Sequence, residues 1–446
     1  MEELAAAEYV LSLAKEQRLR DVDVVLAREE SLSLRVRDGK VEKVDQSVGR
    51  GLGVRVLNEG RMGIAFTERM EQPNLEIALQ AAKENATLQD PTEVEMVTRI
   101  PNVPDAATLE LYNSALEELT FAQLAELGLA IEAEARAADK RVTSVPYLGV
   151  SRGTGRVTLL TSHGLRYEQR QNSVGAYCGA LLEDNGARKS GSYSWRQRIW
   201  DAEAGRAVGR LAVQCGADLM GAKPLPSGAL PVVLDEYCAP GLIAMFSGAF
   251  SAEAAQKGVS RLKGRLGEML AGEDITLLDD PHKVGAPGSR YVDAEGTATQ
   301  PLPLIENGRF ANFLYHVESA RKEGKRSTGH AGRGYTGGIG TRTHNLVLPL
   351  GTHNLEALCA LPERCLLVTE LEGAAGCNPL SGDISIGVQG FLMEKGQRVQ
   401  PVDSVTIAGN FFDLLKQIRA RGDCYQPNLS SVFIPALLVE GLTISG

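Results

Sequence analysis

Six histidines, seven cysteines and a scatter of carboxylates are the side chains of this 446-residue chain that could grip a metal or move a proton. Their spacing matches no common catalytic motif. The sequence contains no HExxH helix for zinc, no GxSxG elbow for a nucleophilic serine and no GxxxxGK[ST] phosphate loop. His163, His282, His316, His330, His344 and His353 include no i,i+4 pair that would share a helix face. A catalytic zinc needs three protein ligands and an open position. His316, His330 and Cys424 could be assembled into such a set, although nothing in their spacing demands it. Asp235-Glu236, Glu370 and Glu372 could act as acids or bases, and they fit solvated faces equally well. Residues 332–337 spell GxGxxG, but a dinucleotide fingerprint needs a strand before it and a helix after it, and the six glycines of 329–340 make such a match easy.

The elements that must position these groups are read from periodicity and turn chemistry. Residues 3–18 and 73–88 have helical spacing. Between them lie alternating segments at 22–28, 31–37, 40–46, 51–57 and 61–67, with turns at Asp38-Gly39 and Glu59-Gly60. The same order recurs: a helix over 117–139, strands over 142–149, 155–161, 164–171, 173–182 and 189–199, and a helix over 201–216. Gly39 matches Gly164, Ser47-Val48-Gly49 matches Ser173-Val174-Gly175, and Gly60 matches Gly186. Either the region is duplicated, about 1–95 and 115–218, or two unrelated meanders share turn chemistry. Past a Gly/Pro/Ser cluster near 220–228 the texture turns β-rich. A buried strand at 231–235 leads into helical residues 239–256. Strands follow at 302–315 (around Asn307-Gly308), 343–350, 364–372, 383–394, 397–408 and 432–445, with short helices at 353–360 and 410–420. The expectation is an α+β fold: an N-terminal region, 1–222, of helices and antiparallel sheet, then a β-rich C-terminal domain, 223–446.

Composition narrows the function. Lys and Arg number 47 against 56 Asp and Glu, a formal charge of −9, and no basic run could track a phosphate backbone, which argues against nucleic-acid binding by this chain alone. The N-terminal residues carry acids at once and read as an amphipathic helix, not a signal peptide. No stretch approaches the ~18 apolar residues of a membrane span. The cysteines are odd in number, scattered and without a CxxC pair, which fits reduced thiols in a cytoplasmic protein.

Several blocks resemble the PmbA/TldD family, once described as modulators of DNA gyrase. They are PVVLDEYCAPGLIAMFSGAFSAEAAQKG from 231, DAEGTATQPLPLIENGRFANFLYHVESARKEGKRSTGHAGR at 293–333, the closing PALLVEGLTISG, and SLSLRVRDGKVEKVDQSVGRGLGVRVL near the start. The likeness spans nearly the whole chain in matching order. It implies that a TldD-type member is a metallopeptidase whose helix after the 231–234 strand carries His-Glu-x-x-x-His, with a cysteine near the C-terminus completing the site. Aligned through Val232-Val233-Leu234, Pro240-Gly241 and Lys257-Gly258, those three positions fall on Met245, Phe246 and Phe250, while Cys424 lies close to the place of the cysteine. Phenyl rings have no lone pair to donate, and a thioether suits Cu(I) better than Zn²⁺.

Loss of this kind characterises the PmbA/TldE branch. The resemblance therefore implies a non-catalytic subunit with no cofactor of its own, partnered by a TldD-type subunit that carries a divalent metal such as zinc. It further implies unfolded or leader-bearing peptides as substrates. An extended peptide can add to a sheet edge through main-chain hydrogen bonds. Gly329, His330, Gly332, Gly334, Gly337 and Gly338 are then candidate contacts for a peptide or partner, unless 329–340 is simply a flexible surface loop. The alternatives are a peptidase in its own right with non-standard ligands, and a homodimeric scaffold or peptide-binding protein. Histidines five apart on a regular helix point ~140° away from each other, so an active member must distort this helix, whereas a chain without metal need not. The expectation here is a regular, well-packed helix over 239–255.

Overall fold

Asp38-Gly39 and Glu59-Gly60 take positive φ at both residues, the conformation that turns two antiparallel strands back on each other. They join the first three strands in the computed structural model, which describes residues 2–91, 94–373 and 375–446. The N-terminal region runs α1 (Glu3–Glu16), β1 (Asp21–Arg37), β2 (Lys40–Asn58), β3 (Arg61–Thr67) and α2 (Gln72–Thr87), then α3 (Phe121–Ala138), β4 (Val142–Thr161), β5 (Arg166–Asp184), β6 (Ala187–Gln197) and α4 (Ala202–Asp218). All six strands form one sheet in the order β3-β2-β1-β4-β5-β6, with β1 and β4 antiparallel at its centre from Asp23↔Thr161 to Arg35↔Gly149. The short segments expected at 22–28 and 31–37 are one strand, as are 142–149 and 155–161. Exposed residues at Glu29, Glu30 and Ser31 read as a break but continue the ladder without interruption.

Alternation along these strands gives the sheet two different faces. One face carries Val22, Val24, Leu26, Val54 and Val56 onto α1 and α2, and further along Leu34, Val36, Val150 and Ala176 onto α3 and α4. Buried Glu132 of α3 reaches across to accept the backbone N–H groups of Asp38 and Gly39 at 3.0 and 2.9 Å, so a helix from the second half holds the first hairpin of the other. The opposite face, in register across β2, β1, β4 and β5, presents Gly49, Glu29, Gly155 and Gln171.

The C-terminal region is built on an eight-stranded sheet with Val232–Leu234, Arg364–Glu372, Asp383–Glu394 and Gln397–Asn410 side by side, beside a smaller five-stranded sheet. Asn307-Gly308 is the expected hairpin turn, with positive φ at both residues. Mixed helix and sheet throughout make the fold α+β, with a β-rich C-terminal part. Among the described residues, no helix is long and apolar enough to cross a membrane.

Two contacts pin the C-terminal loops to the open face of the N-terminal sheet. In the first, the loop 333–336 lies across β2. A side chain at Gly53 would begin 2.1 Å from the Tyr335 carbonyl oxygen, and one at Gly51 2.1 Å from the Tyr335 ring, so both positions exclude any Cβ. The Tyr335 hydroxyl donates to Glu68 at 2.8 Å, and its ring meets Phe66 edge-on at 6.0 Å. In the second, Arg55 Nε donates to Asp23 Oδ2 at 2.7 Å and its Nη1 to Glu295 Oε1 at 3.2 Å, while Arg333 pairs with the other oxygen of Asp23. Two cations and two anions thus balance in a site where each side chain is no more than 3% exposed.

The base of the 329–341 loop is set by Asp279, which accepts the backbone N–H groups of His344 and Asn345 at 2.9–3.0 Å. His344 Nε2 donates to the Gly329 carbonyl at 2.8 Å, and burial pushes its pKa down to about 3. Asp279 is held below the ordinary carboxylate range: burial pushes it up, but the neighbouring His330 and His344 and these backbone donors outweigh that.

Two outcomes follow. Arg55→Met leaves buried carboxylates short of a partner and should cost about 3–5 kcal/mol, read as a lowered urea midpoint. Arg28→Met, which breaks partly exposed pairs with Glu3 and Glu30, should stay within about 1 kcal/mol. For His344, the unfolded chain takes up its proton near the ordinary 6.5 and the folded chain only near 3. Its contribution to stability is therefore complete above pH 6.5 and is lost as the pH falls towards 3. A His344→Gln variant should show a shallower loss of thermal midpoint between those limits than the parent chain.

Candidate functional site

Leu234 ends a fully buried strand, and the turn after it is fixed by Asp235, whose Oδ1 accepts the N–H groups of Tyr237 and Cys238 at 3.0 and 2.7 Å. Burial raises the Asp235 carboxyl to about 6. From there the chain enters α5 (Cys238–Met245), and here the structure corrects the expected regular helix over 239–255. The helix stops at Phe246, a 3-10 turn covers Ser247–Phe250, Ser251 is extended, and α6 (Ala252–Gln256) starts anew. The cause is a backbone exchange with a neighbouring segment. Leu314 N–H donates to the Phe250 carbonyl at 2.9 Å, and Ala252 N–H to the Leu314 carbonyl at 3.0 Å, so the chain at Ser251 pairs as a strand would. Ser251 Oγ then accepts from Ala254 N–H and caps α6.

Although broken, the segment opens onto no polar site. Phe246 is fully buried and stacks on Phe411 with centroids 4.6 Å apart and planes 11° from parallel. Phe250 is also buried and faces Phe310 at 6.0 Å. Met245 is half-buried against the same core. Each aromatic pair contributes about 0.5–1.5 kcal/mol beyond its buried area. These three residues do not fit a divalent cation: none offers an oxygen or nitrogen donor, and stripping an ion of its water among phenyl rings is unfavourable by several kcal/mol.

The other candidate ligands are held apart by different partners. His316 is buried, with Nε2 3.7 Å from Glu253 Oε2 and neither ring nitrogen hydrogen-bonded. His330 is buried too, its Nδ1 2.8 Å from Thr328 Oγ1 and its Nε2 3.4 Å from Asp279. Cys424 is exposed, with Glu236 and Asp423 as its charged neighbours. Among the described residues no group of three or more His, Cys, Asp or Glu side chains could hold a metal ion.

The glycine-rich stretch is a hairpin, with Ala331–Gly332 paired to Gly340–Thr341. Gly329 and His330 lie inside the protein and offer no surface to a peptide or partner, a correction of the expectation for those two, caused by the Asp279 and His344 contacts beneath them. Gly332 sits against the Arg342 side chain, whereas Gly334 and Gly338 are exposed and Gly337 half-exposed. A close main-chain approach that glycine permits does occur at Gly53, where this chain's own loop is the guest, and the Tyr335 ring fills the like space at Gly51.

Where that loop bridges to the sheet it roofs a cavity of about 430 Å³, walled by Glu29, Gly155 and Gln169 on one side and Arg290, Asp293 and Arg342 on the other. A second cavity of about 510 Å³ continues along the sheet past Ser31, Ser47, Gly153 and Ser173 to Arg196 and Arg198. The two share Glu29, Gly49, Gly155 and Gln171 and form one groove. Sequence reasoning missed Asp23, Arg55, Arg290 and Arg342. For the first pair a signal existed: Asp23 and Arg55 interrupt strongly apolar strands, DVDVVL and VRVL. For isolated arginines in loops there was none.

Models of the PmbA/TldA metallopeptidase match three segments of the chain: domain 1 over 22–86, the central domain over 114–215 and the C-terminal domain over 227–446. The metalloprotease PmbA homolog of Haemophilus influenzae is 30% identical over 436 residues, covering 95% of this chain and 92% of its own. The crystal structure of a Thermotoga maritima protein, proposed as a modulator of a DNA gyrase, superposes with a TM-score of 0.87 at 28% identity, covering 99% of both chains. TldE from Thermococcus kodakarensis gives 0.86 at 25% identity, covering 99% of this chain and 100% of the other. With this breadth of agreement in sequence and fold, the chain belongs to the PmbA/TldD family of metallopeptidases.

Proposed function

We propose that this chain is the non-catalytic partner subunit of a TldD–TldE-like heteromeric metallopeptidase that processes or degrades unfolded peptides in the cytoplasm. The observation that carries the reading is the burial of Phe246 and Phe250 in the apolar core, at positions where the resemblance to TldD-type members calls for a carboxylate and an imidazole. A side chain stacked on Phe411 cannot bind an ion or take a proton from metal-bound water. The likeness to a solved TldE supports the branch assignment. The metal, zinc in this reading, resides in the TldD-type subunit, and this chain contributes a wall of the chamber and a surface for the peptide. The same element order in 3–87 and 121–218, sharing one sheet, supports an N-terminal region that arose by duplication.

The test is reconstitution. Each purified chain and their mixture are assayed on an unfolded peptide, with metal content measured by plasma mass spectrometry. The expected result is background cleavage and no stoichiometric metal for this chain alone, and chelator-sensitive cleavage by the mixture. Chelator-sensitive cleavage by this chain alone, at a rate that tracks bound metal, would overturn the assignment in favour of an independent peptidase.

A further inference from the structure

Arg290 and Arg342 line the groove, the second of them exposed. Neither guanidinium makes a hydrogen bond or an ion pair with any described residue, and Arg290 Nε is shut off from solvent. A buried donor without an acceptor costs about 1–3 kcal/mol, more when charged. Burial disfavours the charged form of Arg290, and the neighbouring Arg342 adds to this while Tyr167, Asp293 and Asp279 offset part of it, so a buried guanidinium and an exposed one of like charge share one wall of the cavity. The adjacent carboxylates do not resolve this. Both oxygens of Asp293 are occupied by backbone N–H groups of Glu295, Thr297 and Ala331, and burial together with Glu295 raises its pKa to about 7. Arg333 is committed to Asp23, and Glu29 lies exposed on the floor of the sheet. What the cavity lacks is one anion placed between two forks.

The rest of the groove says what that anion is attached to. Its floor is Gly49, Gly153 and Gly155 beside Ser47, Gln171 and Ser173, a strip of small and uncharged hydrogen-bonding groups. Such a strip suits the amides of an extended chain. With Glu29 close by, a monoanion is balanced where a doubly charged phosphate is repelled.

We propose that the groove between the six-stranded sheet and the C-terminal loops binds an extended peptide by its C-terminus, with Arg290 and Arg342 holding the terminal carboxylate and the Gly/Ser/Gln strip lying under the backbone. This rests on the reading of the chain as part of a peptide-cleaving assembly and adds which end of the peptide it takes. Guanidinium forks pair with carboxylates through two parallel hydrogen bonds, so charge and geometry are both read.

The test uses the full chain without its partner. A short fluorescent peptide of Gly, Ala, Ser and Gln, with no acidic side chains, is titrated as the free acid and as the C-terminal amide. The acid should bind at least about tenfold more tightly. The preference should vanish in Arg290→Gln/Arg342→Gln and be partly kept in Arg342→Lys, which retains charge without the fork. Equal binding of acid and amide to the parent chain, a comparison needing no variant, overturns the proposal. So does displacement of the acid by inorganic phosphate at lower concentration than by acetate, which would assign the cavity to a phosphate-bearing ligand. Acid preference together with an inactive reconstituted mixture would retain the site and reject the peptidase reading. A mixture that cleaves acid and amide alike, unaffected by the double variant, would do the reverse.

Discussion

The quartet of Asp23, Arg55, Glu295 and Arg333 is the interaction on which the architecture turns. Two of its members belong to strands of the N-terminal sheet and two to loops of the C-terminal region, and all four are nearly inaccessible to water. Ions taken out of water must meet partners of opposite sign with good geometry or they destabilise the fold. Here that condition is met only when the two regions are docked, so the charges specify one mutual arrangement. The second oxygen of Glu295 also accepts the Val317 N–H at 2.8 Å, which extends the constraint to the short helix Val317–Arg321.

The groove exists because of this docking. An N-terminal sheet with helices on one face would otherwise leave its other face open; the C-terminal loops cover the end nearest Val25 and Gly53 and meet the sheet again at β6, where Asn428 Oδ1 accepts from Arg196 N–H at 2.9 Å. Farther along, glycine and serine keep the surface low beneath the overhang. The absence of donors at Met245, Phe246 and Phe250 and the two arginines, Arg290 and Arg342, that make no ion pair among the described residues sit in different parts of one molecule.

Much of the fold was legible in the sequence because turn residues announce themselves. Asp38-Gly39, Glu59-Gly60 and Asn307-Gly308 mark hairpins that the chain forms, and the strands over 364–372 and 383–394 have the bounds their alternation suggests. Long strands were harder to read. The middle of β1 at Glu29, Glu30 and Ser31 is exposed, and local reading takes polarity for a turn when the ladder simply passes through open groove. The broken helix after Met245 was illegible for another reason. Its apolar residues satisfy helical spacing, and the competing partner, the backbone of Leu314, lies some sixty residues away. The site was readable only as an absence of donors at aligned positions. The arginines of the groove gain meaning solely from what surrounds them in space.

The stacking of Phe246 on Phe411, with Phe250 against Phe310 and Phe310 edge-on to Phe313 at 4.7 Å, has a corollary. Placing imidazole and carboxylate at those positions would set polar groups among closely packed rings, where each would have to find a hydrogen-bonding neighbour. A metal centre there would therefore need concerted change at several sites on separate segments. A single polar substitution there would destabilise the core before any ion could be held.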